Sequence, residues 1–89
     1  MIEVRAIYSG LVQGVFFRAT VKKHAEQLNV AGTVCNRDDG TVELWAMGSK
    51  TVLEKLLLAI EEDPGAGKIK QVKTFFMPNT HEYIGFKII

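Results

Sequence analysis

The first segment of the chain alternates between apolar and polar side chains. Its apolar members are Ile2, Val4, Ala6 and Tyr8. Because side chains on a strand point to opposite faces in turn, this period of two predicts a strand with one buried face. Gly10 is expected to end this strand.

A different period begins at Phe17. Apolar side chains then recur at intervals of four, four and three, at Phe17, Val21, Ala25 and Leu28. This spacing predicts an amphipathic helix whose apolar residues share one face, while Arg18 lies on another face. Asn29 and Gly32 are expected to stop the helix.

The middle of the chain predicts a β-hairpin. Residues 33–36 and 41–47 are β-prone, and residues 37–40 between them read Arg-Asp-Asp-Gly. An Asp-Gly pair between two such runs is a strong hairpin signal, because Gly40 tolerates a positive φ angle.

A second helix is predicted after the hairpin. Its apolar residues repeat at i, i+3, i+4 and i+7, at Leu53, Leu56, Leu57 and Ile60. Ser49 is a candidate N-cap, and Thr51 with Glu54 forms an alternative capping box, so the sequence leaves two starting points open. Residues 63–65, Asp-Pro-Gly, are expected to end the helix.

The last part of the chain completes the predicted fold. A strand is expected over about residues 69–77, followed by a turn and a short terminal strand with Phe86 and Ile88. The main order is strand, helix, strand, strand, helix, strand, which is the split βαβ or ferredoxin-like arrangement of an α+β protein. We expect a β-α-β-β-α-β sandwich in which two helices cover one face of an antiparallel sheet. Residues 1–89 suffice for a single domain.

The charge balance narrows the class of partner. Eleven Lys and Arg residues oppose ten Asp and Glu residues, which gives a formal net charge of +1. Nucleic-acid-binding domains carry a strong basic excess and anionic membranes attract polybasic segments, so neither partner is expected. A small anionic ligand stays possible, because one well-placed arginine suffices to bind it.

Cysteine content and hydropathy indicate the compartment. Cys35 is the only cysteine, so no disulfide forms within the chain. The longest apolar run, residues 56–60, is far shorter than the roughly 20 residues that span a bilayer. The N-terminal segment alternates where a signal peptide is continuously apolar. We expect a cytoplasmic protein and, from its size, a monomer.

The connection from the first strand to the first helix is the most informative stretch chemically. The first amide groups of a helix lack internal acceptors and lie at the positive end of the helix dipole, which favours an anion. Gly14 lets the backbone approach that anion. Arg18, in the first helical turn, offers two parallel donors to a phosphate. From spacing alone, a plain turn with Arg18 on a solvated helix face is the alternative.

Two sequence blocks resemble the acylphosphatase family. Residues 10–18, Gly-Leu-Val-Gln-Gly-Val-Phe-Phe-Arg, are similar to the signature loop of that family. A second block follows at the expected distance, with Gly-x-Val-x-Asn at residues 32–36 and Asp-Gly-x-Val-Glu at residues 39–43. The similarity continues to the Pro-Gly turn at Pro64 and so covers nearly the whole chain. It implies a ferredoxin-like enzyme that hydrolyses carboxyl-phosphate anhydrides to carboxylate and inorganic phosphate.

The resemblance also implies roles for particular residues. Arg18 corresponds to the arginine that binds the phosphoryl group, and Asn36 to the asparagine that orients the attacking water. The amides that wrap the phosphate correspond to those of Gln13, Gly14, Val15, Phe16, Phe17 and Arg18. No metal, no cofactor and no covalent intermediate are expected. Thr33 and Cys35 stand where the family often has an aromatic and a basic residue, a departure that bears on the rate.

Other reactive side chains have plainer interpretations. Cys35 has no arginine six residues later, where cysteine phosphatases need one, and we expect a buried or half-buried thiol. His24 and His81 lack the spacing of a zinc site and are expected at the surface or its boundary. Asp38 and Asp39 are assigned to the turn.

The remaining charged and aromatic residues are assigned to structure. Lys68, Lys70 and Lys73 are expected on a solvated strand edge, where lysines prevent strands of different molecules from pairing. Trp45 is assigned to packing, on a face of the sheet that the sequence does not decide. Arg37 is assigned to the turn, with added positive potential near the predicted site as the alternative.

Two rival functions are compatible with this fold. RNA-recognition domains share the strand order, but they stack bases on aromatic residues of the central strands. The predicted third strand carries one aromatic residue and an acid, which argues against RNA. The second rival is a non-catalytic regulatory domain that binds phosphate or acyl phosphates. The presence of both Arg18 and Asn36 favours the enzyme, with a small-molecule acyl phosphate as substrate.

Overall fold

The computed structural model describes all 89 residues and contains five strands and two helices. The elements are β1 (Ile2–Leu11), α1 (Phe17–Gln27), β2 (Ala31–Asn36), β3 (Val42–Gly48), α2 (Lys50–Glu62), β4 (Lys68–Pro78) and β5 (Phe86–Ile88). Their order is the predicted one, and the short terminal strand is present.

All five strands belong to one sheet, in the order β4-β1-β3-β2-β5. β1 pairs antiparallel with β3 and β4, and β2 pairs antiparallel with β3. These four strands form the antiparallel ferredoxin-like sheet that the sequence predicts. β5 adds to the outer edge of β2 in parallel, so the complete sheet is mixed.

The core lies between this sheet and the two helices. β1 and β3 turn alternate side chains inward, and α1 and α2 contribute their apolar faces. The fully buried residues of these elements include Val4, Ala6, Tyr8, Phe17, Val21, Ala25, Val42, Leu44, Ala46, Leu53, Leu56 and Ile60. α1 packs over β2 and β5, and α2 packs over β1 and β3. Both helices therefore cover one face, as predicted. Neither is long and apolar enough to cross a membrane.

The start of α2 resolves a question that the sequence left open, and the end of β1 differs by one residue from its prediction. Ser49 is the N-cap of α2, and its Oγ accepts a hydrogen bond of 3.2 Å from the Val52 amide. β1 runs one residue beyond its predicted end, to Leu11, and its register with β4 shifts between Ser9 and Gly10. Gly10 has a φ of 122°, and a Cβ there would lie 2.3 Å from the main-chain oxygen of Lys68, so the shift requires glycine.

His24 is buried, and the predicted surface or boundary position was wrong. Only 8% of the residue is exposed, and its Nε2 lies 2.8 Å from the main-chain oxygen of Asp63, at the end of α2. His24 follows Phe17 by seven residues and Val21 by three. The helical spacing therefore already placed it on the apolar face.

The topology brings two distant segments to the same end of the sheet. β1 and β2 run in the same direction, since each is antiparallel to β3, which lies between them. The loop that leaves β1 and the last residue of β2 therefore lie at the same end of the sheet. Residues 12–16 and Asn36 meet at this end.

Candidate active site

Residues 12–16 form a tight loop between β1 and α1. Gly14 has a φ of 75°, and Phe16 has a φ of 60° and a ψ of 25°. The left-handed region costs a residue other than glycine roughly 1–2 kcal/mol. Phe16 is also 85% exposed. The fold thus holds Phe16 in a backbone conformation that a residue with a side chain does not favour, and such strain is concentrated at functional sites.

The loop and the first turn of α1 present a row of amide groups without acceptors. The first main-chain hydrogen bond of the helix runs from the Thr20 amide to the Phe16 oxygen, at 3.1 Å. Phe16 occupies the N-cap position and makes no capping hydrogen bond with its side chain. The amide groups of residues 13–19 donate to no acceptor within the chain. Together with the helix dipole, they favour the binding of an anion.

A cleft of about 250 Å³ opens beside these amides, and it brings the two predicted polar side chains together. It is lined by Val12, Gly14, Phe16, Phe17, Arg18 and Asn36. Arg18 comes from the first turn of α1 and Asn36 from the last position of β2. Neither side chain forms a hydrogen bond or an ion pair within the chain. Both are therefore free to bind a ligand.

Gln13 connects the loop to the hairpin. Its Nε2 donates to the main-chain oxygens of Arg37 and Thr41, at 2.8 and 2.9 Å. These two bonds fix the loop relative to the end of β2, where Asn36 lies. The Gln13 side chain is therefore occupied, and Val15 packs against the core. Only the main-chain amides of these two residues are available to a ligand.

Arg37, by contrast with Arg18, is engaged in ion pairs. Its guanidinium lies 3.5 Å from the Glu43 carboxylate and 4.0 Å from that of Asp39. Glu43 also pairs with Arg5 at 2.6 Å. Arg37 thus belongs to a charge network on the open face of the sheet. Arg18 is the unpaired cation of the cleft.

The hairpin aspartates have structural contacts. Asp39 Oδ1 accepts hydrogen bonds from the Thr41 amide and hydroxyl, at 3.0 and 2.5 Å. The hydroxyl bond first, and then the amide bond, lower the pKa of the Asp39 carboxyl. Asp38 and Asp39 therefore remain assigned to the turn.

Cys35 is a half-buried thiol on the strand that carries Asn36. Burial, followed by the Glu43 carboxylate, raises the pKa of the thiol, against the opposing charges of Arg37 and Arg18. A raised pKa makes a cysteine a poor nucleophile, because the thiolate is the reactive form. The period of two also turns Cys35 to the face opposite Asn36.

Trp45 and three lysines of β4 are the remaining residues that the sequence singled out. Trp45 is half-buried on the open face of the sheet, with the Arg5 guanidinium 5.6 Å from the centre of its ring. Lys68, Lys70 and Lys73 lie on β4, which is an edge strand as expected. No group of three His, Cys, Asp or Glu side chains is arranged to hold a metal ion.

A second polar cluster escaped the sequence analysis. Glu3 occupies an outward position of β1, yet it is completely buried. Its carboxylate accepts from the amide of Thr80 at 2.7 Å, from the Thr80 hydroxyl at 3.0 Å and from the Tyr83 hydroxyl at 3.3 Å. His81 Nδ1 lies 3.0 Å away. The segment between β4 and β5 therefore folds back over the start of β1, a contact that no sequence pattern indicates.

Comparison with known proteins shows which family the chain resembles. The family model described as Acylphosphatase matches residues 4–88. A protein named acylphosphatase from Pelotomaculum thermopropionicum is 39% identical and covers 97% of this chain and 94% of its own. A protein with the same name from Bacillus licheniformis is 40% identical, over 98% of this chain and 93% of that protein. The crystal structure of acylphosphatase from Bacillus subtilis superposes with a TM-score of 0.94 at 32% identity, over 100% of this chain and 99% of that one. The chain therefore belongs to the acylphosphatase family.

Proposed function

We propose that this chain hydrolyses acyl phosphates to carboxylate and inorganic phosphate without a metal ion. Arg18 and the amides of residues 13–18 bind the phosphoryl group, and Asn36 orients the attacking water. One observation carries the proposal: residues 14 and 16–18, whose amides are free, border the same cleft as the unpaired guanidinium of Arg18 and the free carboxamide of Asn36.

The donor set fits a phosphoryl group in charge and in geometry. Consecutive main-chain amides at a helix N-terminus can surround several oxygens of one anion. The Arg18 guanidinium adds two parallel charge-assisted hydrogen bonds, which are stronger than hydrogen bonds between neutral groups. Gly14 is exposed, and nothing lies within 4 Å of the position where a side chain would begin. The backbone there is open to the ligand.

The reaction that follows is an in-line displacement at phosphorus. The oxygen of a water molecule attacks the phosphorus atom, and the bond from phosphorus to the acyl oxygen breaks, so the carboxylate leaves with the electron pair. The proton of the water passes to an oxygen of the phosphoryl group. Asn36 cannot accept that proton near pH 7, because a carboxamide is not basic, and its role is to position the water.

Positioning and charge are sufficient for this chemistry. A carboxylate is a good leaving group, so the reaction needs little acid catalysis. The transition state of phosphoryl transfer is loose, and positive potential around the equatorial oxygens stabilises it. Preorganised hydrogen-bond donors supply this potential. Holding the water in line with the scissile bond lowers the barrier further.

We assign the enzyme to the cytoplasm, as a monomer of one domain over residues 1–89. A single continuous core connects all parts of the sheet to both helices, which supports one domain. The only cysteine is half-buried and unpaired, which suits a reducing compartment.

The test is the release of carboxylate from an acyl phosphate in the presence of a metal chelator. We expect hydrolysis by the wild type, and a kcat/KM lower by about 10³-fold or more in Arg18→Gln. Arg37→Gln is the matched control, since that arginine is already paired with Glu43, and its activity should stay close to the wild-type value. Binding of phosphate without turnover in the wild type would contradict the enzyme and support the regulatory domain.

A further inference from the structure

The cleft has a buried floor and an exposed rim. Val12 and Phe17 are buried and form the floor. Gly14, Phe16 and Asn36 are exposed and form the rim. Any part of a ligand that extends out of the cleft therefore passes a glycine, a phenyl ring or a carboxamide.

Phe16 combines two features that folding alone does not explain. Its ring is 85% exposed, and its backbone is in the left-handed region. The N-cap position of a helix ordinarily takes a small polar residue. The backbone of Phe16 is nevertheless well anchored, because its oxygen accepts from the amide and the hydroxyl of Thr20, at 3.1 and 3.3 Å. The fold thus presents an apolar ring to solvent at a fixed place on the rim.

The direction of the reaction links this ring to the leaving group. In an in-line displacement the attacking water and the leaving oxygen lie on opposite sides of phosphorus. If Asn36 holds the water, the acyl group departs away from Asn36. The other members of the rim are Gly14 and Phe16, and only Phe16 offers apolar surface.

We propose that the phenyl ring of Phe16 contacts the acyl group of the substrate, and that this contact raises kcat/KM for acyl phosphates with an aromatic or long apolar acyl group relative to acetyl phosphate. Contact with such a group removes apolar surface of the exposed ring from water, which favours binding. This inference rests on the proposed function, since it needs the phosphoryl group in the cleft and the water at Asn36.

The experiment compares kcat/KM for benzoyl phosphate with kcat/KM for acetyl phosphate in each variant. Both substrates share the phosphoryl group, so a general disturbance of the loop lowers both values and cancels in their ratio. The difference in intrinsic reactivity between the substrates is the same for every variant, so it cancels when the ratios of two variants are compared. We expect the ratio to fall about 3–10-fold in Phe16→Ala, the size of one aromatic contact, and less in Phe16→Leu. Phe75→Ala is the matched control, because Phe75 is 47% exposed on the edge strand β4 and should leave the ratio unchanged.

A second variant protects the test from a collapsed loop. Asparagine adopts the left-handed region more readily than other residues with a side chain, so Phe16→Asn keeps the backbone shape and removes the ring. The same fall in the ratio is expected. An unchanged ratio in both Phe16→Ala and Phe16→Asn overturns the inference and leaves hydrolysis intact. Hydrolysis of both substrates by Arg18→Gln at the wild-type rate would overturn the proposed function instead.

Discussion

The two helices of this protein begin in opposite ways. α2 begins after Ser49, which has an extended backbone and whose hydroxyl oxygen accepts from the Val52 amide. α1 begins after Phe16, which has a left-handed backbone and makes no capping bond. In any helix, the first-turn amides have no acceptor within the helix itself. In α2 the Ser49 side chain accepts from one of these amides, whereas in α1 they stay free.

The difference separates stability from function. An N-cap such as Ser49 stabilises a helix by about 1 kcal/mol. The start of α1 lacks that contribution and carries the cost of a left-handed phenylalanine, roughly 1–2 kcal/mol. Such a loss is a sizeable part of a total stability of the order of 5–13 kcal/mol, and strained backbone positions cluster at functional sites. In the proposed function the free amides bind an anion, and this role accounts for the missing cap.

The largest effect is expected at Asn36, which borders the cleft at the uncapped start of α1. Asn36→Ala should lower kcat by about 10²-fold, because the water loses its orienting group. The inhibition constant of inorganic phosphate should stay nearly unchanged, and so should the free energy of unfolding, because the Asn36 side chain is exposed and has no partner. Steady-state kinetics with phosphate as inhibitor measures both constants.

The exposed Asn79 provides the control for that variant. Its side chain makes one hydrogen bond, from Nδ2 to Met47 Sδ at 3.6 Å, remote from the cleft, so Asn79→Ala should retain full activity. A large loss of phosphate binding in Asn36→Ala would assign Asn36 to the anion rather than to the water.

The Glu3 cluster differs from the start of α1, because its anion is a carboxylate of the chain and donors of the chain already bind it. Burial raises the pKa of the Glu3 carboxyl, but the hydrogen bonds from the Thr80 amide and hydroxyl and the contacts with His81 outweigh it, so the pKa is lowered. Glu3→Gln should destabilise the fold by about 2 kcal/mol, since hydrogen bonds to a charged acceptor are lost. Denaturant unfolding at pH 7 measures this change, and turnover per folded molecule should stay at the wild-type value.

The same carboxyl predicts a direction for the pH dependence of stability. A lowered pKa in the folded state means that the contribution of Glu3 is complete above its unfolded pKa, about 4.3, and is lost as the pH falls through the lower folded value. The Tm of the wild type should therefore decline below about pH 4.3 more steeply than that of Glu3→Gln. Parallel curves for the two proteins would show that Glu3 is not the responsible group.

A bound anion should accept hydrogen bonds from the free amides at the start of α1 and so stabilise the folded state. Inorganic phosphate at ten times its Kd stabilises the folded state by about 1.4 kcal/mol, which corresponds to a rise in Tm of roughly 6–10 °C for a domain of this size. Thermal unfolding with increasing phosphate, at constant ionic strength, measures the effect. Arg18→Gln should lose most of it. An equal rise in that variant would place the anion elsewhere.

The smallest effect is expected at the capped helix. Ser49→Ala should destabilise the fold by about 1 kcal/mol, because the Val52 amide loses its acceptor, and should leave turnover unchanged. Urea unfolding and the hydrolysis assay together check this outcome. A loss of activity in Ser49→Ala would mean that the two helix ends are not as separate in role as they are in structure.

Most of the fold could be predicted from local patterns. The alternation in β1 and the helical spacing in α1 and α2 report directly which side chains are buried, because burial follows the period of each element. His24 shows the limit of reading residue type before position, since its spacing from Phe17 already indicated burial. The partner of β5 was beyond reach, because three residues carry no register information of their own.

The site divides in the same way. Residues 10–18 and 32–43 identified Arg18, Asn36 and the loop amides as candidates, and the start of a helix supplies free amides wherever no cap is present. The bonds from Gln13 to the hairpin, which fix the loop beside Asn36, were not predictable. The two residues of each bond are far apart in the sequence, by 24 positions in one bond and by 28 in the other. Such contacts exist only once the sheet has formed.

The sequence by itself determined the order of the elements, the faces they bury and the residue types available for phosphate chemistry, because these depend on neighbours within a few positions. The tertiary structure decided that Glu3 is buried beneath Thr80, 77 positions away, and that Phe16 is exposed on the rim of a cleft. Both outcomes depend on which distant segment covers a position. That is settled by the packing of the whole sheet and its connections, not by local periodicity.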